Sequence, residues 1–225
     1  MKKVIAFSLF GADLKYCIGA AKNVWCARRW YPDWKCVFWI GNGVPKKVTD
    51  YLTAAGAEVI DATKLGCGGM FWRFLAADMP GVERFIARDT DSRIGEREAL
   101  AVQEWIASGK GVHVMRDHPH HQREMPGGLW GARNGVIKDM AGLILKSGFP
   151  DGYDGDQQFL KQVVWPMVKD DSIQHDSCTR DLFPGSKPFP TPLSYENPRF
   201  VGEVFDEFDE PRPYDWEKHF NYIAA

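Results

Sequence analysis

Asp89 and Asp91 stand one residue apart in "VERFIARDTDSRIGERE", where an apolar run climbs into Arg88-Asp89-Thr90-Asp91 and a charged, helix-like segment follows. Side chains at i and i+2 of an extended chain point to the same side, so both carboxylates leave the strand end together. The carboxyl ends of strands are where open α/β sheets bind ligands. Two hard oxygen donors there suit Mg²⁺ or Mn²⁺, which keep open positions for phosphate oxygens. A metal held in this way can neutralise a departing diphosphate as a Lewis acid and template. The same pair would also serve a solvated turn leading into a helix N-terminus, and this stretch alone leaves both readings open.

The elements that must position the pair alternate along the chain. Residues 4–10 predict a buried strand bounded by Gly11. Asp13 predicts the cap of a helix whose apolar positions Tyr16, Ala20, Val24 and Ala27 keep helical spacing until Pro32. A strand at 36–40, a helix from Pro45 to Gly56 and a strand at 58–60 follow. Then come a helix at 70–77, a strand at 82–88, a helix at 96–107 stopped by Gly109, and a strand at 112–115. This alternation predicts βαβ units and a parallel sheet covered by helices. After Asp117 the rhythm breaks in "DHPHHQREMPGGLWGARNG", which has neither period and predicts a long functional loop. Helices are expected again at 138–146 and 154–168, with a short strand at 172–175 and a Pro-rich tail from Cys178.

Composition excludes several classes. With 44% apolar and 26% charged residues, the 225-residue chain is an ordinary globular sequence, long enough for one domain with a sizeable core. A formal charge of −2 with mixed signs leaves no electrostatic footprint for nucleic acid. The five cysteines form no C-x-x-C pair and no even-numbered framework, which suits a reducing compartment. No stretch approaches the roughly 18 apolar residues of a spanning helix, and polar residues interrupt the N-terminal apolar run. The expectation is a soluble, cytoplasmic protein without a membrane span.

The stretch "MFWRFLAADMPGVERFIARDTDSR" resembles the donor-site core of GT-A-fold glycosyltransferases, in which an Arg-bearing helix precedes a strand ending in a D-x-D metal motif. "DGDQQFL", Asp154 to Leu160, is similar to the D-Q-x-x-L-N signature of the retaining family that contains glycogenin and bacterial lipopolysaccharide galactosyltransferases. "IQHDS" and "GSKPF" are similar to that family's late metal-binding His and its G-x-K-P-W phosphate-binding turn. Small glycosyltransferase domains of large viruses and some bacteria look alike as well. The chain departs from the pattern at Lys161, where the signature has Asn, and at Phe189, which replaces the Trp.

The resemblance implies an α/β, GT-A-like, mostly parallel sheet flanked by helices, with a single domain over 1–190 and a C-terminal tail over 191–225 packing on it. It implies a hexosyltransferase that uses Mn²⁺ or Mg²⁺ to move a sugar from a nucleoside-diphosphate donor, UDP-linked, to a glycan or small-molecule acceptor, with retention. Asp89, Asp91 and His175 would then be metal ligands. Arg73 and Lys187 would contact the carboxylates or the diphosphate, and Ser8, Phe10 and Tyr16 would hold the nucleotide. Asp156 and Gln157 would lie beside the anomeric carbon, where a carboxylate or amide stabilises an oxocarbenium-like transition state.

Other uses compete for several of these residues. Asp154 and Asp156 both suit a helix N-cap, Phe10 and Tyr16 suit core packing, and His175 suits a backbone hydrogen bond. Asp117 is the candidate base if the reaction inverts, and Asp117, His118 and Trp130 are candidates for acceptor contact. "HPHH" could hold zinc, but lacks a partnered Cys or Glu pattern. Two other function classes stand beside the transferase. A binding module would keep Asp89 and Asp91 without needing Asp156 and Gln157. An aspartate-dependent phosphohydrolase would normally carry its pair on the first strand rather than the fourth.

Overall fold

In the computed structural model, residues 1–152, 154–193, 198–213 and 215 are described. Seven strands form one sheet in the order β3-β2-β1-β4-β6-β5-β7. They are β1 (Lys2–Leu9), β2 (Trp34–Ile40), β3 (Glu58–Asp61), β4 (Val82–Arg88), β5 (Val112–Arg116), β6 (Trp130–Arg133) and β7 (Ser172–Asp176). β1 pairs in parallel with β2 and β4, β2 with β3, and β5 with β7, whereas β6 runs antiparallel to both its neighbours. The strands and helices expected from the sequence appear within a few residues of their bounds. The exception is β6, which lies inside the stretch expected to be loop.

Burial on both faces explains the continuous apolar strands. Alternate residues of β1 go to opposite sides. Val4 and Ala6 face the 3₁₀ helix Gly69–Asp78, α4 (Met140–Ser147), and a run comprising α5 (Gly155–Phe159), a π-helical turn (Leu160–Val164) and α6 (Trp165–Val168). Ile5, Phe7 and Leu9 face α1 (Leu14–Trp30), α2 (Lys46–Ala54) and α3 (Glu96–Ser108). The expected helix at 70–77 is therefore a 3₁₀ helix. Its aromatics interlock with Phe159: Phe71 and Phe74 lie 5.8 and 6.4 Å from that ring. Through this cluster the end of α5 is set against the 3₁₀ helix.

The strand end that carries the carboxylate pair is pinned by charge. Arg88, the last residue of β4, is 1% exposed and donates to Glu98 of α3 at 2.9 Å, and Tyr31 donates to the same oxygen at 3.2 Å. The C-terminal segment adds a backbone tie, because Phe205 N–H donates to the Asp91 carbonyl at 2.8 Å and Val204 bridges Ser92. Tail positions 194–197, 214 and 216–225 lie outside the described residues. No helix among the described residues is long and apolar enough to cross a membrane.

Removing one partner of a buried ion pair strands the other charge. Glu98→Ala should cost about 3–5 kcal/mol in urea unfolding, whereas the Arg88→Met/Glu98→Leu double variant should recover most of it.

Candidate active site

β1 is flanked by β2 on one side and β4 on the other, so the chain's winding reverses between β1 and β4. A cavity of about 520 Å³ opens at the carboxyl ends of those two strands. Ser8, Phe10 and Tyr16 line it, together with Arg73, Asp89, Asp91 and Gln157. All seven are candidates from the sequence, although they are spread over 150 positions of chain. A second cavity of about 300 Å³ adjoins it and is lined by Asp156, Asp154, Arg123, His120 and His121, among others. Met70, Asp89 and Gln157 line both.

Arg73 ties the elements together. It is 3% exposed, and its Nη2 donates to Asp156 Oδ2 at 2.7 Å and lies 3.3 Å from Asp89 Oδ1. Its Nε donates to the Gly127 carbonyl at 3.2 Å, and its backbone N–H donates to Ser8 Oγ at 3.0 Å. Asp156 is not a helix cap. Asp154 occupies that position in left-handed backbone, φ 80°, and its side chain pairs with Arg123 at 2.6 Å instead. Asp156 Oδ1 is buried without a hydrogen-bond partner among the described residues. Burial raises the Asp156 pKa, Arg73 opposes the rise and Asp89 adds to it. Asp91 is also raised, first by burial and then by the charge of Asp89, while Lys15 opposes.

Bare backbone closes the junction. A Cβ on Gly127 would fall 2.5 Å from Gln157 Nε2 and 2.7 Å from Asp156 Oδ2, and one on Gly128 would overlap Asp89 Oδ2. Only glycine lets the "PGG" turn approach this closely. On the nucleotide side Phe10 is 43% exposed and meets Trp72 edge-on at 5.8 Å, and Tyr16 is 36% exposed, so neither is spent in the core.

Several candidates lie elsewhere. His175 on the edge strand β7 is 0% exposed and lines neither cavity; it faces His113 at 2.8 Å and Glu104 at 3.1 Å. Lys187 pairs with the same Glu104. β7 sits beyond β5 and β6, so neither residue is brought to the carboxylate pair. Asp117 is 0% exposed, binds Arg97 through both oxygens and accepts from Ser177 Oγ and Val201 N–H, which leaves it no role as an open base. Trp130 is buried against Phe74 and Phe85. His118 is buried too, its Nδ1 accepting from the His120 N–H and its Nε2 lying 2.9 Å from the Asp215 carbonyl. Both ring nitrogens being engaged, the close grouping of His118, His120 and Asp215 offers a metal little from that ring. Arg123 and Lys15 are not among the candidates read from the sequence, and His120 and His121 stand there only as part of "HPHH". Lys15 is the second residue of α1.

No protein-family profile matches the chain, and no curated protein matches it. Solved structures do. The galactosyltransferase LgtC, in complex with donor and acceptor sugar analogues, overlaps with a TM-score of 0.50 at 12% identity, over 77% of this chain and 73% of that one. The fold is GT-A-like. A glycosyltransferase involved in glycosylation of the major capsid of PBCV-1 reaches TM-score 0.48 at 14% identity, over 78% of this chain and 82% of that one. Glucosyl-3-phosphoglycerate synthase from Mycobacterium tuberculosis, with Mn²⁺ and UDP, reaches 0.48 at 13%, over 77% of this chain and 68% of that one. At such identities the likeness is of fold alone.

The histidine pair makes a pH prediction. Burial holds His113 well below 6.5, and burial with the nearby Arg97 lowers His175 to about 4. At these two histidines the unfolded chain binds more protons than the folded one below about pH 6.5, so the stability they contribute above that value is lost as pH falls towards 4. Urea unfolding across this range should show His175→Gln losing less stability than the wild type, and an equal loss would remove the pair from the account.

Proposed function

We propose that the protein is a metal-dependent glycosyltransferase that moves a sugar from a nucleoside-diphosphate donor, UDP-linked, to a hydroxyl acceptor with retention at the anomeric carbon. The observation that carries the reading is the junction: Met70, Asp89 and Gln157 line both cavities at the carboxyl ends of β1 and β4. One cavity suits a nucleotide, with Phe10 and Tyr16 available to a base, and the adjoining one suits an acceptor. Asp89 and Asp91 fit a hard divalent cation, Mn²⁺ or Mg²⁺, as an oxygen-only donor pair open to the larger cavity. When bound, that ion would supply charge neutralisation for the leaving diphosphate.

The chain's own residues would do the rest. Arg73 adds fixed positive charge beside Asp89. Gln157, held by its contact with the Gly127 N–H at 3.2 Å, sits where the two ligands would meet. Asp156 lies beside it, with Oδ2 on Arg73 and Oδ1 unpartnered, and its negative charge favours the positive charge that develops as the bond from C1 to the diphosphate oxygen breaks. The acceptor oxygen then bonds to C1, and its proton leaves with a phosphate oxygen. A pure binding module would not need the Asp156 arrangement, and a phosphohydrolase would attack phosphorus rather than carbon.

Calorimetry with UDP should show Mn²⁺-dependent binding that Asp91→Asn abolishes without moving the melting temperature; equal affinity in EDTA would overturn the metal reading. Asp156→Asn should leave donor binding within about threefold but lower kcat about a hundredfold or more, because its interaction strengthens in the transition state. Binding with no turnover in the wild type would favour the binding module.

A further inference from the structure

α1 presents Lys15, Gly19 and Asn23 four residues apart, and therefore on one face. All three meet the turn that carries the carboxylate pair. Asn23 is 0% exposed; its amide donates to the Thr90 carbonyl at 3.2 Å and the Ser92 carbonyl at 2.8 Å, and its Oδ1 accepts from the Ile94 N–H at 3.0 Å. A Cβ on Gly19 would overlap the Thr90 carbonyl oxygen, so the helix and the turn are in direct backbone contact. Lys15 Nζ lies 3.2 Å from Asp91 Oδ2, with side-chain exposures of 26% and 15%. The helix thus holds the turn through Gly19 and Asn23 and offers the Lys15 ammonium to the more buried carboxylate.

We propose that Lys15 is a resident counter-cation for Asp91, occupying that carboxylate until a divalent ion takes its place. The proposal rests on the metal-binding reading of Asp89 and Asp91. Two neighbouring carboxylates, one largely buried, repel each other and need a cation in either state. An ammonium on a flexible four-carbon stem can supply one and then withdraw, which a guanidinium fixed by several hydrogen bonds, like that of Arg73, cannot. The Tyr16 ring gives the ammonium somewhere to go, since Nζ already lies 4.3 Å from its centroid. A withdrawn Lys15 would keep its positive charge against the wall of the nucleotide cavity, where Tyr16 is a lining residue.

The test is a calorimetric titration of the nucleotide-free protein with Mn²⁺. Lys15→Met should bind Mn²⁺ at least about threefold more tightly than the wild type, the gain expected when a partly screened ion pair no longer has to be broken. Lys146→Met removes the same charge from an exposed pair with Asp139 and should leave the affinity unchanged. Equal or weaker binding by Lys15→Met, or the same gain in Lys146→Met, would overturn the proposal while leaving the metal site intact. Wild-type protein that binds no Mn²⁺ would instead overturn the metal reading on which it rests.

Discussion

The site depends on one buried guanidinium. Arg73 is withdrawn from water, and a group of that kind is tolerated only where its donors are met and its charge is balanced. Its side-chain partners come from three further pieces of chain: Gly127 in the long loop, Asp89 beyond β4, and Asp156 at the head of α5. The backbone N–H of the same residue is met by Ser8 near the end of β1. Arg73 thus draws the nucleotide wall, the carboxylate pair and the transfer point to the same place. Asp156 is the reciprocal case, a 1% exposed carboxylate whose charge Arg73 compensates.

Around that hub the charges do not cancel. Asp89, Asp91 and Asp156 bring three carboxylates, against which Arg73 and Lys15 bring two cations. The remaining negative charge, with Asp91 pushed upward by burial and by Asp89, describes a place that favours a further cation. Rigid surroundings make the arrangement specific. Gly127 and Gly128 press bare backbone against Asp156 and Asp89, α1 grips the turn through Gly19 and Asn23, and Phe205 ties it from the other side.

What the sequence revealed follows from how local each cause is. The β4 end was legible because strand, turn and helix are contiguous, and strand-end placement needs no long-range information. Ser8, Phe10 and Tyr16 stand at and after the end of β1, where the family resemblance implies the nucleotide, and Asp156 and Gln157 lie in a short signature of the same resemblance. His175 and Lys187 were misplaced because their position depends on the order of strands. β7 pairs outside β5, and β6 inserts antiparallel between β4 and β5, which widens the gap. β6 itself was hidden because it is four residues long and contains Gly131, so no period could show. Asp117 looked available only because its partner Arg97 lies twenty residues away. Arg123 carries no local pattern, and the "HPHH" histidines that line the second cavity show only a cluster without a partner.

In the proposed reaction the junction of the two cavities breaks the bond between a sugar and a nucleoside diphosphate. Slow transfer to water tests it without knowledge of the acceptor. A panel of nucleotide sugars incubated with the protein and Mn²⁺, and assayed for released nucleoside diphosphate, should show hydrolysis of at least one UDP-sugar that EDTA abolishes. Release of inorganic phosphate in place of nucleoside diphosphate, or no metal-dependent release from any donor that the protein demonstrably binds, would contradict the account.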